Sequence, residues 1–222
     1  MPTLLTVAGK AALRGHVLIP RVGAWHGTLW LDADTAPTGA ASLVWGDSEA
    51  TWSATILRGG VMTEGGPAEV RFVGGGGGLA TALAGGSYRN TSPRSLLGQI
   101  LPGGGERLSG TSPTTTLDAA IARWSRDAGT CGQQIARLAD SLGALWRVLA
   151  DGSIYVGPEP GGTLTLDAST QVVHRNPALG SVTLASSAPW SFRVGQTYDG
   201  RRIDQIVHRI SPREVRTELW LA

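Results

Sequence analysis

Residues 130–157 contain the strongest local folding signals of the chain. Thr130 lies three residues before Gln133, which is the spacing of a capping box that satisfies the first free amides of a helix. An apolar stripe at i, i+3, i+4 and i+7 follows, formed by Ile135, Leu138, Ala139 and Leu142. The sequence therefore predicts an amphipathic helix that Gly143 can end in a left-handed conformation.

Similar apolar spacing occurs just before this helix. The residues that repeat the stripe are Leu117, Ala120, Ile121 and Trp124, and Gly129 is the predicted stop. After the second helix, apolar residues flank Asp151-Gly152, a dipeptide that tolerates the positive φ angles of a tight hairpin turn. We therefore predict two short helices followed by a β-hairpin.

The rest of the chain shows the pattern of short strands. Apolar and polar residues alternate over residues 25–32, 51–56 and 68–72, and five or six strands are predicted within the first 73 residues. No helix is predicted between them, which favours an antiparallel barrel or sandwich. A short helix is predicted over residues 94–101, with Ser92 as N-cap and Pro93 as its first residue. Alternation returns after residue 157 and continues to the C-terminus, so the fold class is mainly β with a short helical middle.

Composition excludes several classes of protein. A chain of 222 residues can bury a proper core, and one cysteine excludes an internal disulfide framework. Nineteen basic and 17 acidic residues give a net charge of +2, too balanced for a dedicated nucleic-acid binder. The sequence shows neither a signal peptide nor an apolar run of the ~20 residues that a membrane span needs. We expect a protein folded in a cytoplasm, with no specific nucleic-acid binding and no direct membrane insertion.

Five consecutive glycines, Gly74 to Gly78, follow a predicted strand and invite comparison with a phosphate-binding loop. A dinucleotide site would need a βαβ unit with an acidic residue about 20 residues further on. Ser92-Pro93 opens a predicted helix at that distance instead. A flexible or tightly packed exit from the barrel is the better interpretation.

The titratable residues form no recognisable catalytic pattern. The four histidines, His16, His26, His174 and His208, are scattered, and none has a partner at i+3 or i+4. Cys131 lies at a predicted helix start, but no feature brings a histidine to it, so we interpret it as a packing residue. Asp32 with Asp34, or Asp47 with Glu49, could form a carboxylate pair, although turns favour these residues anyway. We predict no catalytic residue, no metal site and no cofactor.

A set of short motifs in a fixed order resembles a known family. These motifs are Val70-Arg71-Phe72-Val73-Gly74-Gly75, Ser87-Tyr88-Arg89, Gly105-Glu106-Arg107-Leu108-Ser109, the block from Trp124 through Ala128-Gly129-Thr130 to Trp146-Arg147-Val148 and Asp151-Gly152, and the ending Ile206-Val207-His208-Arg209-Ile210 with Arg216-Thr217-Glu218-Leu219. In order and spacing they resemble the baseplate hub proteins of long-tailed bacteriophages, also found in phage-like injection systems and gene transfer agents. The likeness covers residues 70–222, and the first 70 residues have a compatible β pattern.

The resemblance implies a fold and a role. The fold would be two small barrels related to the tail-tube fold, with boundaries at 1–86 for the N-terminal β-barrel, 87–144 for a helical linking segment and 145–222 for a C-terminal β-barrel or sheet. Three copies would form a homotrimeric ring that adapts a hexameric tail tube to a threefold spike or fibre. Its partners would be the tail tube or distal tail protein, the central spike or fibre protein and the tape measure protein. Its place would be the virion tail baseplate, assembled in the bacterial host cytoplasm, with a channel for the tape measure and DNA.

Tryptophans are the candidate contact residues of such a non-enzymatic ring. Trp25, Trp30 and Trp220 are candidate interface anchors because aromatic side chains concentrate in the buried centres of interfaces. The alternative for each of them, which the sequence favours, is a core tryptophan. Two other functions stay open at this point, a carbohydrate-binding β module at a receptor-binding tail tip and a tail-associated cell-wall hydrolase.

Overall fold

The first six strands form a closed antiparallel barrel. The computed structural model describes residues 4–46, 50–61 and 66–222. Strands β1 to β6 cover Leu5–Val7, Lys10–Pro20, His26–Leu31, Gly39–Trp45, Thr51–Val61 and Ala68–Gly74. They pair in the order β1-β4-β5-β6-β3-β2, and the β1–β2 pairing closes the ring. The predicted strands of this region are therefore confirmed as a barrel, although Gly15 lies inside β2 instead of interrupting it. A side chain at Gly15 would collide with the carbonyl of Thr28 on β3.

Alternate residues of these strands fill the barrel. Leu29, Leu43 and Val70 are fully buried, as the period-2 pattern requires. Five aromatic rings, which we call the barrel aromatic cluster, occupy the centre: Trp25, Trp45, Trp52, Phe72 and His208. Trp52 lies edge to face with Trp25 at 5.2 Å and with Trp45 at 5.3 Å between ring centroids. Such aromatic pairs add about 1 kcal/mol beyond area burial, so the interior is packed and not hollow.

The middle of the chain is a separate compact unit, residues 74–159. Its strands β7 to β12 cover Ala82–Leu83, Gly86–Thr91, Ile121–Arg126, Gly129–Thr130, Leu145–Val148 and Ile154–Gly157. Its helices α1, α2 and α3 cover Pro93–Gly103, Thr114–Leu117 and Cys131–Ser141. The core between α1 and α3 contains Leu97, Ile100, Ile135 and Leu138, all fully buried.

Three of the local predictions for this unit are confirmed. Thr130 and Gln133 form the complete capping box of α3, and Gly143 has φ 60° just beyond the end of the helix. The hairpin around Asp151-Gly152 joins β11 and β12 in antiparallel register. Ser92 caps α1 by accepting from the amide of Ser95 at 3.3 Å, and Pro93 is its first residue.

The predicted helix with its stripe at 117–124 is wrong. Only residues 114–117 are helical, and Ile121–Arg126 is strand β9, antiparallel to Gly86–Thr91 in β8. Tyr88 lies opposite Trp124 in this ribbon, with 6.0 Å between the ring centroids. A cross-strand aromatic pair supplies packing that an isolated short helix does not have.

The C-terminal strands continue the sheet of the barrel. Strands β13 to β17 cover Gln171–Asn176, Ser181–Ala185, Thr197–Tyr198, Arg201–Ile210 and Val215–Leu221. Strand β16 pairs with β2, with His208 opposite Val17, and the order continues β16-β17-β14-β13. Asp199 and Gly200, both with positive φ, form the predicted turn between β15 and β16. This sheet lies in the region for which the resemblance implied a C-terminal β-barrel or sheet, and it has its own core around Leu184, Ile206 and Leu219.

The division of the chain differs from the predicted boundaries. Residues 1–73 and 160–222 form one compact unit, and residues 74–159 form the other. The reason is the β2–β16 ladder, which joins the two ends of the chain in one sheet. The middle unit also contains the strands β7 and β8 and the hairpin β11–β12. It therefore extends beyond the predicted domain boundaries at residues 86 and 144. The prediction of a mainly β chain with a short helical part is confirmed.

Candidate interaction surfaces

The glycine run is held by an internal carboxylate. The Oε2 of Glu106 accepts from the amide of Gly76 at 2.9 Å, and its Oε1 accepts from the amide of Gly78 at 3.1 Å. Glu106 is only 6% exposed. Consecutive amides that converge on an anion are the geometry of phosphate loops, but here the anion belongs to the protein. This arrangement supports a tightly packed exit from the barrel and leaves these two amides engaged.

Side chains have no room in this loop. A Cβ at Gly78 would collide with the carbonyl of Gly104, and one at Gly76 would collide with the carbonyl of Gly105. Gly75 and Gly77 have φ of 84° and 80°, a region that side chains other than glycine rarely adopt. Glycine is therefore required at positions 75 to 78, at two of them by lack of space and at two by the backbone conformation.

The three candidate tryptophans lie in different environments. Trp25 is 2% exposed and belongs to the barrel aromatic cluster, which favours the core alternative for this residue. Trp30 is half-buried, and the guanidinium of Arg14 lies 4.9 Å from its ring centroid. Trp220 is half-buried on β17. All eight tryptophans are buried or half-buried.

His208 and Cys131 are both buried. His208 is fully buried; its Nδ1 lies 2.9 Å from the Thr217 hydroxyl, and burial lowers its pKa to about 3. Cys131 is buried, and desolvation with the nearby Glu106 charge raises the pKa of its thiol to about 11. A thiol of that kind is not a nucleophile at neutral pH. Across residues 4–46, 50–61 and 66–222, no group of three metal-ligating side chains lies together.

The structure describes one of the two candidate carboxylate pairs. Asp32 and Asp34 are exposed in the loop after β3. Asp47 and Glu49 lie outside the described residues. A cleft of about 570 Å³ in the middle unit is lined by residues 90–92, Ser95, Asp118 and residues 120–122. Its carboxylate, Asp118, accepts from the Arg94 guanidinium at 2.6 Å. The described helices include none long and apolar enough to cross a membrane.

The ribbon of β8 and β9 brings together two arginines whose proximity the sequence does not predict. Arg89 lies directly opposite Arg123, and both are exposed. On the other face, Tyr88 packs beside Trp124, and the guanidinium of Arg126 lies 5.6 Å from the Tyr88 ring. The pairing of residues some thirty positions apart has no local signal in the sequence. The apolar spacing of residues 117–124 therefore predicts a helix instead.

Known structures share this fold, whereas comparisons of sequence find no relative. No family model matches the chain, and no curated protein matches its sequence. The 43 kDa tail protein of prophage MuSo2 from Shewanella oneidensis superposes with a TM-score of 0.68 at 10% identity, over 98% of this chain and 95% of that one. A tail protein from Neisseria meningitidis MC58 gives 0.64 at 12% identity, over 98% and 95%.

A third similar structure comes from a secretion machine. The Escherichia coli c3393 protein, a component of the type VI secretion system described as similar to the T4 tail proteins gp27 and gp5, gives a TM-score of 0.65 at 11% identity. That match covers 97% of this chain and 75% of the other. The chain therefore has the fold of phage tail proteins. The resemblance seen in the sequence motifs and the structural neighbours agree on this fold.

Proposed function

We propose that this protein is a structural, non-enzymatic hub of a phage tail. The observation that carries the proposal is the extent of the structural match, which spans 98% of this chain and 95% of a prophage tail protein. The absence of converging titratable groups in the cleft of the middle unit supports a role based on shape.

The packed barrel constrains how such a hub would work. Trp45 and Phe72 are nearly fully buried and fill the interior of the barrel, so the barrel itself offers no channel among the described residues. A small barrel is filled by its own side chains. A channel for the tape measure protein and DNA would therefore be formed between copies, in the middle of a ring.

A homotrimer is the assembly that fits this role. Three copies, each with a barrel and a second sheet, would place six β units around the channel, which matches a hexameric tube. One side of the ring would bind the tail tube or distal tail protein, and the other the central spike or fibre protein. The ring would lie in the virion tail baseplate after assembly in the bacterial host cytoplasm. Trp30 and Trp220 remain candidate anchors of its interfaces, because both are half-buried and can lose further surface to a neighbour.

The oligomeric state tests this proposal. Native mass spectrometry of the full chain, over a hundredfold range of concentration, is expected to give a species of three copies. This species is recognised by a mass three times the 23.0 kDa of one copy. A Trp30→Ala variant is expected to shift the population towards monomer, whereas the buried Trp25 has no place in this test. A stable monomer or a dimer at all concentrations would contradict the ring.

A further inference from the structure

The ribbon of β8 and β9 holds two like charges directly opposite each other. Arg89 and Arg123 are cross-strand partners and both are exposed. Opposed like charges destabilise an antiparallel pair, and a two-stranded ribbon is only marginally stable by itself. The pairing therefore has a cost that an anion bound between the two guanidinium groups would remove.

No acidic residue on the ribbon compensates these charges. The segments Gly86–Thr91 and Ile121–Arg126 contain three arginines and neither aspartate nor glutamate. Other arginines of the middle unit have carboxylate partners in the ion pairs Arg94–Asp118, Arg107–Asp151 and Arg137–Asp127. In the described part of the chain, neither Arg89 nor Arg123 takes part in an ion pair. The positive charge of the ribbon is thus available to a partner.

An acidic counterpart of equal and opposite charge lies in the loop after β3. Asp32 and Asp34 are exposed, and the described residues contain no ion pair to either of them. They lie two positions apart in a bend, where the amide of Ala33 donates to the carbonyl of Leu31 at 3.0 Å. Opposed residues of an antiparallel ribbon have Cβ atoms about 5 Å apart, so the two guanidinium groups can reach two neighbouring carboxylates. Carboxylate and guanidinium groups also pair bidentately.

We propose that the arginine ribbon, Arg89 with Arg123, docks onto the Asp32–Asp34 loop of a second copy of this chain. The contact is heterologous, since the ribbon of one copy binds the loop of the next, and repetition of such a contact closes a ring of three when successive copies are related by a rotation of one third of a turn. This inference rests on the proposed function and assigns its interface. Nucleic acid is the less suitable occupant, because binding to DNA requires many neutralised phosphates and this face of the ribbon supplies two arginines.

The ion pairs are expected to contribute more to the specificity of the contact between copies than to its total affinity. Charges at the rim of an interface act mainly on register and on the rate of association. Replacing both arginines by glutamate turns attraction into repulsion, and juxtaposed like charges strongly suppress an interface. We expect at least a tenfold increase in the concentration needed for the trimer.

The experiment is a charge swap measured by native mass spectrometry and sedimentation. The variant Arg89→Glu with Arg123→Glu, and separately Asp32→Arg with Asp34→Arg, are each expected to dissociate the trimer. The chain that carries all four substitutions is expected to recover it, because every copy then presents the reversed pair. Recovery also shows that the substituted chains fold.

The control variant is Arg58→Glu with Arg213→Glu, which makes the same change in net charge at exposed sites away from the ribbon. It is expected to keep the wild-type trimer. A wild-type trimer that survives both charge reversals would overturn the inference and leave the proposed function standing. Loss of the trimer in the ribbon variant without recovery in the four-substitution chain would also overturn it. A monomeric wild-type protein would contradict the proposed function itself.

Discussion

His208 shows how a single polar side chain is accommodated in the barrel. Its ring lies 5.0 Å from that of Trp45 and is held by Thr217. The sequence predicts a strand at this position because polar and apolar residues alternate around it. It does not indicate which face points inward, since that depends on the pairing of β16 with β2, some 190 positions earlier.

The buried imidazole makes stability depend on pH. The folded protein binds this proton with a pKa of about 3, whereas the unfolded chain binds it near the ordinary 6.5. The contribution of the neutral His208 imidazole to the free energy of unfolding is therefore fully present above pH 6.5 and is lost as the pH falls towards 3. At pH 5 the loss attributable to His208 is about 2 kcal/mol, from about 1.4 kcal/mol for each pH unit.

Urea denaturation of the wild type and of His208→Leu at pH 7.5 and pH 5 measures this loss. The variant is expected to be less stable at pH 7.5 because Thr217 loses its partner. The difference between the two proteins should shrink by about 2 kcal/mol at pH 5, since only the wild type takes up this proton on unfolding. If the difference in stability between the two proteins is the same at both pH values, His208 is not buried as a neutral group.

At the level of elements, local signals decided what could be predicted. The helix α3 and the hairpin β11–β12 were predicted because a capping box, an apolar stripe and an Asp-Gly turn each lie within a few residues. The ribbon β8–β9 was missed because its strands are joined only through a distant pairing. The Glu106 anchor was missed for the same reason, since thirty residues separate it from Gly76.

Two glycines offer a matched pair of substitutions in the middle unit. Gly78→Ala is expected to destabilise by about 2–4 kcal/mol, as strong overpacking does, because the new Cβ would collide with the carbonyl of Gly104. Gly98→Ala is expected to stabilise by about 0.5–1 kcal/mol, since Gly98 lies inside α1 and a Cβ there meets nothing within 4 Å.

Thermal unfolding, together with hydrogen exchange over residues 74–80, distinguishes the two effects. Faster exchange in the Gly78→Ala protein would locate the damage in the loop that Glu106 holds. Equal stabilities of the two variants would mean that the loop can open to accept a side chain.

At the scale of the whole molecule, the sequence predicts the secondary-structure content better than the way in which the strands pair. The mainly β character and the helical middle follow from alternation and from caps. The continuity of the barrel with the C-terminal sheet does not, because it depends on a register between residues 15–20 and 205–210 that no local pattern specifies. For the same reason the predicted boundaries at 86 and 144 differ from the two units of the structure.

The central claim is that this chain acts through the shape that it offers to its neighbours in a tail. Electron cryomicroscopy of assembled tails, with this chain located by its barrel and second sheet, tests that claim most directly. We predict three copies in a ring at the junction between the tube and the baseplate, with the channel between them. A single copy, a copy number that is not a multiple of three, or a position away from the tail axis would contradict the account.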